Sequence, residues 1–334
     1  MVDNARTKNI EVVYSTEKGK ALRGNSLDLP GTKLLRKNSV DLIITSPPFS
    51  LEVPKRYGNK NKDQYLVWIE TFFEGWHYAL KDTGSLVIDI GNSYTKGSPK
   101  RSLYIYELAL KLGEKFEFCQ EFYWFNSAKM PTPAEYVTKH RTRVKDSVNT
   151  VFWFAKDATN AKANNRNVLI EYSAGMKKLL RTQTYNTGKR PSDQRINKTS
   201  FLKDNGGAIP PNIIVDQPGN LIVSSNTNSS DPYLKKCREY GLRAHPARFP
   251  ETLPDFFIKL CTEENDLIFD PFAGSNTTGL VAERNNRRWI SCDLDEENKN
   301  TGSYVTTSSF RFDKIRKGPG WNGPKYNKWS SWET

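Results

Sequence analysis

Histidine and cysteine are scarce in this chain, and their positions argue against a metal site. The 334 residues include three histidines and four cysteines. They are scattered, without a Cys-x-x-Cys pair or any other metal-ligand spacing, at positions His77, His140, His245, Cys119, Cys237, Cys261 and Cys292. We therefore expect no bound metal. We also expect the cysteines to be reduced thiols, as is usual in cytosolic proteins.

Long apolar runs are missing as well. No stretch approaches the ~18 apolar residues that a membrane-spanning helix requires. The amino terminus, which begins Met1-Val2-Asp3-Asn4, has no apolar core of the kind found in signal peptides. The sequence thus predicts a cytoplasmic protein that does not contact a membrane.

Acidic residues are outnumbered by basic ones. Fifty Lys and Arg face 37 Asp and Glu, which gives a formal net charge of +13. Such a charge favours a polyanionic partner such as nucleic acid, because the protein's field steers the partner toward it. An ordinary basic protein would fit the same charge, so the motifs have to decide.

Short apolar runs rich in β-branched and aromatic residues alternate with helix-like stretches. The predicted strands are 41–45, 85–90, 121–125, 148–155, 266–270 and 289–292. Apolar residues at three-to-four spacing predict one helix over 63–79, with further helices over 103–112 and 254–261. This alternation indicates an α/β fold with a doubly wound, mostly parallel sheet covered by helices on both faces.

The composition divides the chain into four segments. They are residues 1–155, 156–241, 242–317 and 318–334, and the last of these is a tail with three tryptophans. Residues 156–241 are rich in Asn, Ser, Gly, Pro and basic side chains. This loop-rich insertion is our candidate for contact with a polyanionic partner, and the alternative is a solvated excursion without a partner.

The first chemical motif is Ser46-Pro47-Pro48-Phe49, which follows the strand 41–45. In open α/β sheets, ligands bind where parallel strands end. An exocyclic amine on a nucleobase is a poor nucleophile because its lone pair is conjugated into the ring. The Ser46 hydroxyl and the Pro47 carbonyl can accept hydrogen bonds from the amino protons and relocalise that pair. The prolines fix the backbone, and Phe49 offers a face on which an extruded base can stack.

The second motif runs from Asp270 to Gly279 and reads as strand, glycine-bearing turn and helix. Leu280 and Val281 stand where a phosphate-binding P-loop would need Lys and Ser or Thr, and the Gly-x-Gly-x-x-Gly pattern of dinucleotide sites is absent. A nucleoside cofactor without phosphates remains. Asp293 ends the next strand, at the spacing where an acid usually binds ribose hydroxyls, which fits S-adenosylmethionine.

The order of these motifs resembles a known family, the amino-group DNA methyltransferases of bacterial restriction-modification systems in their permuted β class. The similarity extends from about Gly24 to Phe312. It includes the runs Phe122-Tyr-Trp-Phe-Asn126, Ala244-His-Pro-Ala-Arg-Phe-Pro250 and Gly274-Ser-Asn-Thr-Thr-Gly-Leu-Val-Ala-Glu-Arg284. The resemblance implies an S-adenosylmethionine-dependent methyltransferase fold. In that fold residues 1–155 would be the catalytic half, 156–241 the DNA target-recognition region and 242–317 the cofactor-binding half. The resemblance also implies a set of cofactor-binding residues: Asn25, Ser26, His245, Pro246, Phe249, Asp270, Phe272, Gly274, Ser275, Asn276, Thr277 and Asp293.

One position departs from the family pattern. Gly24-Asn25-Ser26 stands where the family usually has Gly-Asp-Ser, whose acid accepts a bond from the adenine amino group. An asparagine oxygen still accepts that bond, without charge. We expect at most a modest change in cofactor affinity, which cofactor titration of Asn25→Asp would test.

The resemblance also implies the substrate, double-stranded DNA. Serine at the head of the tetrapeptide is typical of enzymes that methylate cytosine N4. A restriction endonuclease that acts on the same site, without a stable complex, is the expected functional partner, and CAGCTG is our candidate recognition sequence. The predicted DNA-contacting residues are all basic: Lys55, Arg56, Lys189, Arg190, Arg195, Lys198 and Lys203.

Three alternatives remain open from the sequence. Methylation of adenine N6 uses the same chemistry, and only the product nucleoside separates it from methylation of cytosine N4. RNA methylation is disfavoured by the long basic insertion. A DNA-binding protein with a vestigial, inactive methyltransferase fold is disfavoured by the intact Ser46–Phe49 tetrapeptide and cofactor loop.

Overall fold

A single open sheet organises the chain. The computed structural model describes residues 10–50, 62–95, 97–126, 129–185, 188–189, 195–197, 201–214, 231–248, 250–294 and 302–315. The strands in these ranges are β1 Glu11–Ser15, β2 Gly19–Arg23, β3 Val40–Thr45, β4 Leu80–Ile90, β5 Glu117–Phe125, β6 Val148–Ala155, β7 Gly188–Lys189, β8 Arg195–Ile196, β9 Ile213–Ile214, β10 Leu267–Asp270 and β11 Arg288–Asp293. The α-helices are α1 Lys62–Glu70, α2 Phe73–Ala79, α3 Tyr104–Gly113, α4 Ala174–Thr182, α5 Pro232–Glu239, α6 Thr252–Cys261, α7 Thr277–Arg284 and α8 Tyr304–Ser308.

The main sheet has nine strands in the order β1-β2-β11-β10-β3-β4-β6-β5-β9. Among the described strand pairs of this sheet, five are parallel and three are antiparallel, the latter being β1 with β2, β4 with β6, and β5 with β6. The prediction of a mostly parallel α/β sheet is confirmed. Strands from residues 1–155 and from 242–317 lie in this one sheet, since β10 and β11 sit between β2 and β3.

Strand β3 shows why the sheet is covered on both faces. All six of its residues are buried. Ile43 packs into the cluster formed with α1, α2 and α3, whereas Leu42 and Ile44 pack into the cluster formed with α6 and α7. A strand that is buried on both sides reads as a continuous apolar run rather than an alternating one, as this strand does.

The predicted helix over 63–79 is two helices in the structure. After α1 ends at Glu70, the amides of Thr71 and Phe72 bond to carbonyls three residues back, and the Thr71 hydroxyl also donates to the Trp68 carbonyl at 2.6 Å. A β-branched hydroxyl residue that bonds to its own backbone competes with the helical pattern, so α2 restarts at Phe73. Tyr65, Phe73 and Trp76 of these helices are buried, whereas Trp68 is half-buried and Tyr78 is exposed.

The two edges of the sheet carry different connections. Strands β3, β4, β5 and β10 run in one direction, and the connections that follow their last residues, at 46, 91, 126 and 271, lie at one edge, here called the carboxyl edge. Strand β6 runs the other way, so the predicted recognition region leaves Ala155 at the opposite edge. It reaches the carboxyl edge again through β9, which pairs in parallel with Tyr123 and Trp124.

Candidate active site

The tetrapeptide and the glycine turn meet because β3 and β10 are neighbours in the sheet. Phe269 of β10 pairs with Ile43 of β3, so both strands end at the same height. The Thr45 hydroxyl donates to Asp270 Oδ1 at 2.7 Å, which ties the end of one strand to the end of the other across 225 residues of sequence. The two motifs identified in the sequence therefore form one site.

Ser46 is paired with a buried acid from the next strand. Its hydroxyl donates to Asp89 Oδ2 at 2.9 Å, and the Asn149 amide donates to Asp89 Oδ1 at 3.2 Å. Burial raises the pKa of Asp89 to about 6, which the two hydrogen bonds and the positive charge of Lys129 partly oppose. Because the single Ser46 proton points at Asp89, the Ser46 oxygen presents its lone pairs to any other group in the site.

Phe49 lies directly over a glycine. A Cβ built on Gly91 would stand 2.4 Å from Phe49 Cε2, so only glycine leaves room for the ring there. Pro47 is buried, while Pro48 and Phe49 are half-buried at the surface of the core. The tetrapeptide thus presents a serine oxygen and an aromatic ring side by side at the carboxyl edge.

The Asp270 carboxylate is hydrogen-bonded to groups on both sides of the glycine turn. It accepts bonds from the Thr45 hydroxyl, from the Thr278 hydroxyl at 2.6 Å and from the Phe272 amide at 3.1 Å. Burial raises the pKa of this carboxyl to about 6, against the lowering effect of these three donors. With this set of partners, Asp270 fixes the geometry of the turn.

Asn276 holds the helical end of the turn. Its backbone is left-handed, with φ +54°, and its side-chain oxygen caps α7 by accepting from the Gly279 amide at 3.0 Å. The same oxygen accepts from Ser291, and the amide nitrogen donates to Tyr14. The structure therefore places this predicted cofactor residue with its side chain in the interior.

Gly274, Asp293 and His245 surround the open side of the turn. The Gly274 amide donates to Asp293 Oδ2 at 2.7 Å, and Gly274 has φ +50° with the His245 ring directly above it, 3.0 Å from the position a Cβ would take. Burial lowers the pKa of His245, although the Asp293 charge opposes this. A carboxylate, main-chain groups and a ring at the end of adjacent strands are a donor and acceptor set that fits a nucleoside.

A narrow crevice opens beside this turn. Its lining includes Gly274 and Asp293 together with Ala21, Leu22 and Val305.

The structure adds an arginine that the sequence analysis missed. Arg311 donates from Nε to the Ser275 carbonyl at 2.8 Å and from Nη2 to the Ser275 hydroxyl at 3.1 Å, and it is 3.4 Å from Asp231. It stacks over the Tyr233 ring at 4.7 Å. Sequence distance hid this contact, because Arg311 lies 36 residues beyond the turn.

The remaining predicted cofactor residues differ in how deeply they are buried. Asn25 is half-buried and accepts from the Leu27 amide at 3.1 Å, while Ser26 and Thr277 are buried. Phe272 packs against Trp68, Phe72 and Trp76. Pro246 is exposed, and Phe249 lies outside the described residues.

Of the predicted DNA-contacting residues, Lys203 is exposed. Side chains of Lys55, Arg56, Lys189, Arg190, Arg195 and Lys198 lie outside the described residues, as does the tail 318–334. The sequence analysis overlooked a different basic surface on the β5–β6 connection: the exposed side chains of Lys139, Arg141 and Lys145, here called the basic rim. Tyr136 bonds to the Gly97 carbonyl and Arg143 to the Pro99 carbonyl, which joins this connection to the loop after β4.

The described residues contain no group of His, Cys, Asp and Glu that could hold a metal ion. No helix in the described part of the chain is long and apolar enough to cross a bilayer.

This sheet, with a Ser-Pro-Pro-Phe tetrapeptide and a glycine turn at the ends of adjacent strands, is that of a methyltransferase. The model of the DNA methylase family matches residues 40–303, and the chain belongs to this family. The matched range includes both motifs and the whole predicted recognition region.

Individual relatives agree with this assignment. The chain is 44% identical over 303 residues to the Type II methyltransferase M.PvuII of Proteus hauseri. The aligned residues cover 90% of this chain and 85% of that protein. A solved structure of PvuII DNA methyltransferase (cytosine-N4-specific) matches with a TM-score of 0.68 at 37% identity, over 91% of this chain and 92% of the other. TTHA0409 of Thermus thermophilus, solved in complex with S-adenosyl-L-methionine, shares the fold with a TM-score of 0.51 at 17% identity, over 89% and 93% of the two chains.

Proposed function

We propose that this protein transfers a methyl group from S-adenosylmethionine to N4 of cytosine in double-stranded DNA, at a specific sequence. The observation that carries the proposal is the Ser46–Asp89 hydrogen bond of 2.9 Å beside the glycine turn. The relationship to M.PvuII over 90% of the chain supports the choice of cytosine N4.

Ser46 acts as the hydrogen-bond acceptor for the target amine. An amino proton that points at the Ser46 oxygen leaves the nitrogen lone pair less conjugated and better aligned for attack. As the nitrogen becomes bonded to a fourth group it has to lose a proton, and Ser46 can take that proton while passing its own to Asp89. The ionised form of Asp89 is therefore the active form.

The cofactor site fits this reaction. When bound, S-adenosylmethionine supplies an electrophilic methyl group on a sulfonium. In this proposal Asp293, which accepts a bond from the Gly274 amide, also accepts bonds from ribose hydroxyls, and the main chain around Gly274 allows close backbone approach. Because Thr45 joins Asp270, the turn and Ser46 stay in register as one unit.

The target base reaches this site by leaving the DNA stack. A cytosine within a duplex cannot present its amino group at the bottom of a protein site, so enzymes of this kind extrude the base. Phe49, held over Gly91, supplies a ring for the extruded base to stack on. The basic rim stands at the same edge of the sheet and is suited to the flanking phosphates, and the region 156–241 is our candidate for reading the bases.

The biological role we propose is modification in a type II restriction-modification system. M.PvuII is named as a type II methyltransferase, and the match extends over 85% of its length. A cognate endonuclease would act on the same sequence without a stable complex. Such an enzyme works on chromosomal DNA in the bacterial cytoplasm.

The experiment is to incubate the protein with isotope-labelled S-adenosylmethionine and unmethylated genomic DNA, then to digest the DNA and identify the labelled nucleoside by mass spectrometry. We expect N4-methylcytosine, and sequencing of the modified DNA would show whether the site is CAGCTG. Label in N6-methyladenine would overturn the base assignment and keep the chemistry. Absence of label with folded, cofactor-binding protein would overturn the proposal, and an RNA substrate would be tested next.

A matched variant separates catalysis from binding. Ser46→Ala should lose about 100-fold in methylation rate and retain DNA affinity. Ser39→Ala is the control, because Ser39 is half-buried away from the tetrapeptide and its hydroxyl donates to the Arg36 carbonyl. Equal DNA binding and equal activity in both variants would indicate that Ser46 has no part in the reaction.

A further inference from the structure

We propose that Lys129 and Asn149 are positioning residues for the reaction, because together they orient the Asp89 carboxylate toward Ser46. Neither belongs to the tetrapeptide or to the cofactor turn. This inference rests on the proposed function, since it concerns how Asp89 serves the Ser46 hydroxyl.

The contacts form a continuous chain of four side chains. Lys129 Nζ donates to Asn149 Oδ1 at 2.9 Å and to the Val148 carbonyl at 3.0 Å. Asn149 Nδ2 donates to Asp89 Oδ1 at 3.2 Å, and Ser46 donates to Asp89 Oδ2 at 2.9 Å. Both carboxylate oxygens of Asp89 thus accept a hydrogen bond, one from Asn149 and the other from Ser46.

Lys129 determines which way the Asn149 amide faces. An ammonium group has donors only, so it requires the amide oxygen on its side and turns the NH₂ group toward Asp89. Without Lys129 the amide could rotate by 180° and place its oxygen against the carboxylate. Asn149 is buried, so water gives little compensation for that rotation.

The fold brings these groups together from separate parts of the chain. Asn149 lies on β6, two residues before Val151, and Val151 is the residue that pairs with Asp89 of β4. Lys129 stands on the β5–β6 connection, with its amide bonded to the Asn126 carbonyl at 3.2 Å. Lys129 therefore gives the connection at the carboxyl edge a direct contact with the reacting end of the sheet.

The charge of Lys129 also favours the ionised carboxylate. Asp89 is buried, and the groups that face it are Ser46, Asn149, Lys129 and Tyr104 of α3. Burial raises the pKa of Tyr104 above its ordinary value, so this tyrosine stays neutral. Around Lys129, Asp146 and Arg101 supply one further charge of each sign. Lys129 is thus the cation whose charge lowers the pKa of Asp89.

The test is the pH dependence of the methylation rate under single-turnover conditions, with saturating cofactor and DNA. Lys129→Met should slow the reaction at pH 7 about tenfold or more and move its acid limb upward by about one pH unit, since an opposite charge commonly shifts a carboxyl pKa by ~1–3 units. Lys129→Arg should restore the limb. Lys111→Met removes an exposed charge that pairs with Glu70 and should leave the limb unchanged.

A double-mutant cycle distinguishes a positioning role of Lys129 from a general loss of structure in the site. In an Asp89→Asn background, Lys129→Met should have little further effect on the rate, whereas a purely structural role would give additive losses. Asn149→Leu should reproduce the Lys129→Met rate loss. Circular dichroism and cofactor binding report folding, and Lys129→Gln replaces the methionine variant if that variant is unfolded.

The outcomes separate the two proposals. An inactive wild-type protein would overturn the proposed function. An active wild type with an unchanged acid limb in Lys129→Met or Lys129→Gln, or with additive losses in the cycle, would overturn the positioning role alone.

Discussion

The Ser46 hydroxyl donates a hydrogen bond of 2.9 Å to the Asp89 carboxylate. Asp89 is not next to the tetrapeptide in the sequence, and it comes from the neighbouring strand. Because burial raises the pKa of this carboxyl to about 6, its ionisation changes within a pH range in which duplex DNA remains intact.

The first prediction concerns pH. Since the folded-state pKa is above the ordinary carboxyl value, protonated Asp89 accumulates as the pH falls through about 6, and the Ser46 proton then loses its acceptor. The methylation rate should fall about tenfold for each pH unit below that point. Single-turnover rates between pH 5 and 8 measure this limb.

Asp89→Asn should lower the plateau rate by about 100-fold and remove the limb, because no carboxyl remains to titrate. Asp270 also has a pKa of about 6, so cofactor affinity has to be measured over the same pH range. A limb that survives in Asp89→Asn would assign the titration to Asp270 or another group.

The second prediction concerns the Phe49 ring. Gly91→Ala would place a methyl group 2.4 Å from Phe49 Cε2, so the ring has to move away from its present position. We expect a loss of about tenfold in kcat/KM for DNA, comparable to one misplaced stacking contact of ~1–3 kcal/mol. In a cycle with Phe49→Ala, the second substitution should add little, and Gly113→Ala, with open space at its Cβ, is the control. Fully additive losses would show that Gly91 acts independently of the ring.

The third prediction concerns Arg311. Arg311→Lys cannot keep both bonds to Ser275, and the turn beside Gly274 becomes less well held. We expect cofactor affinity to fall at least tenfold, as with other supporting contacts around a binding site, with little change in the rate at saturating cofactor. Calorimetric titration measures this. Arg284→Lys, an exposed arginine paired with Glu251, is the matched control, and equal affinities in both variants would contradict the prediction.

The fourth prediction concerns the basic rim. Replacing Lys139, Arg141 and Lys145 by Gln should weaken binding to any duplex and reduce the slope of log affinity against log salt by about 2 to 3, because each phosphate contact contributes ~0.9. Sequence preference should not change, since phosphate contacts do not read bases. Replacement of Arg36, Lys37 and Lys115 removes the same charge from the opposite edge of the sheet. If both triple variants lose affinity equally, net charge alone determines binding.

The sequence predicted a large part of the fold for identifiable reasons. Strands such as β3 and β10 are buried on both faces, so their apolar runs are unmistakable, and each ends in a motif whose residue types are chemically distinctive. The break after Glu70 was missed because Thr71 gives a weak signal within a strongly periodic stretch. The hairpin of β1 and β2 was missed because its strands are short and partly polar.

What the sequence by itself determined was the class of fold, the two motifs and their order, since these depend on local composition and spacing. The tertiary structure decided which distant side chains lie around the two motifs: Asp89 beside Ser46, Asn149 and Lys129 behind Asp89, and Arg311 beside the glycine turn. The physical reason is that each of these contacts joins separate elements. Strand order and register set such contacts, and no local pattern in the chain encodes them.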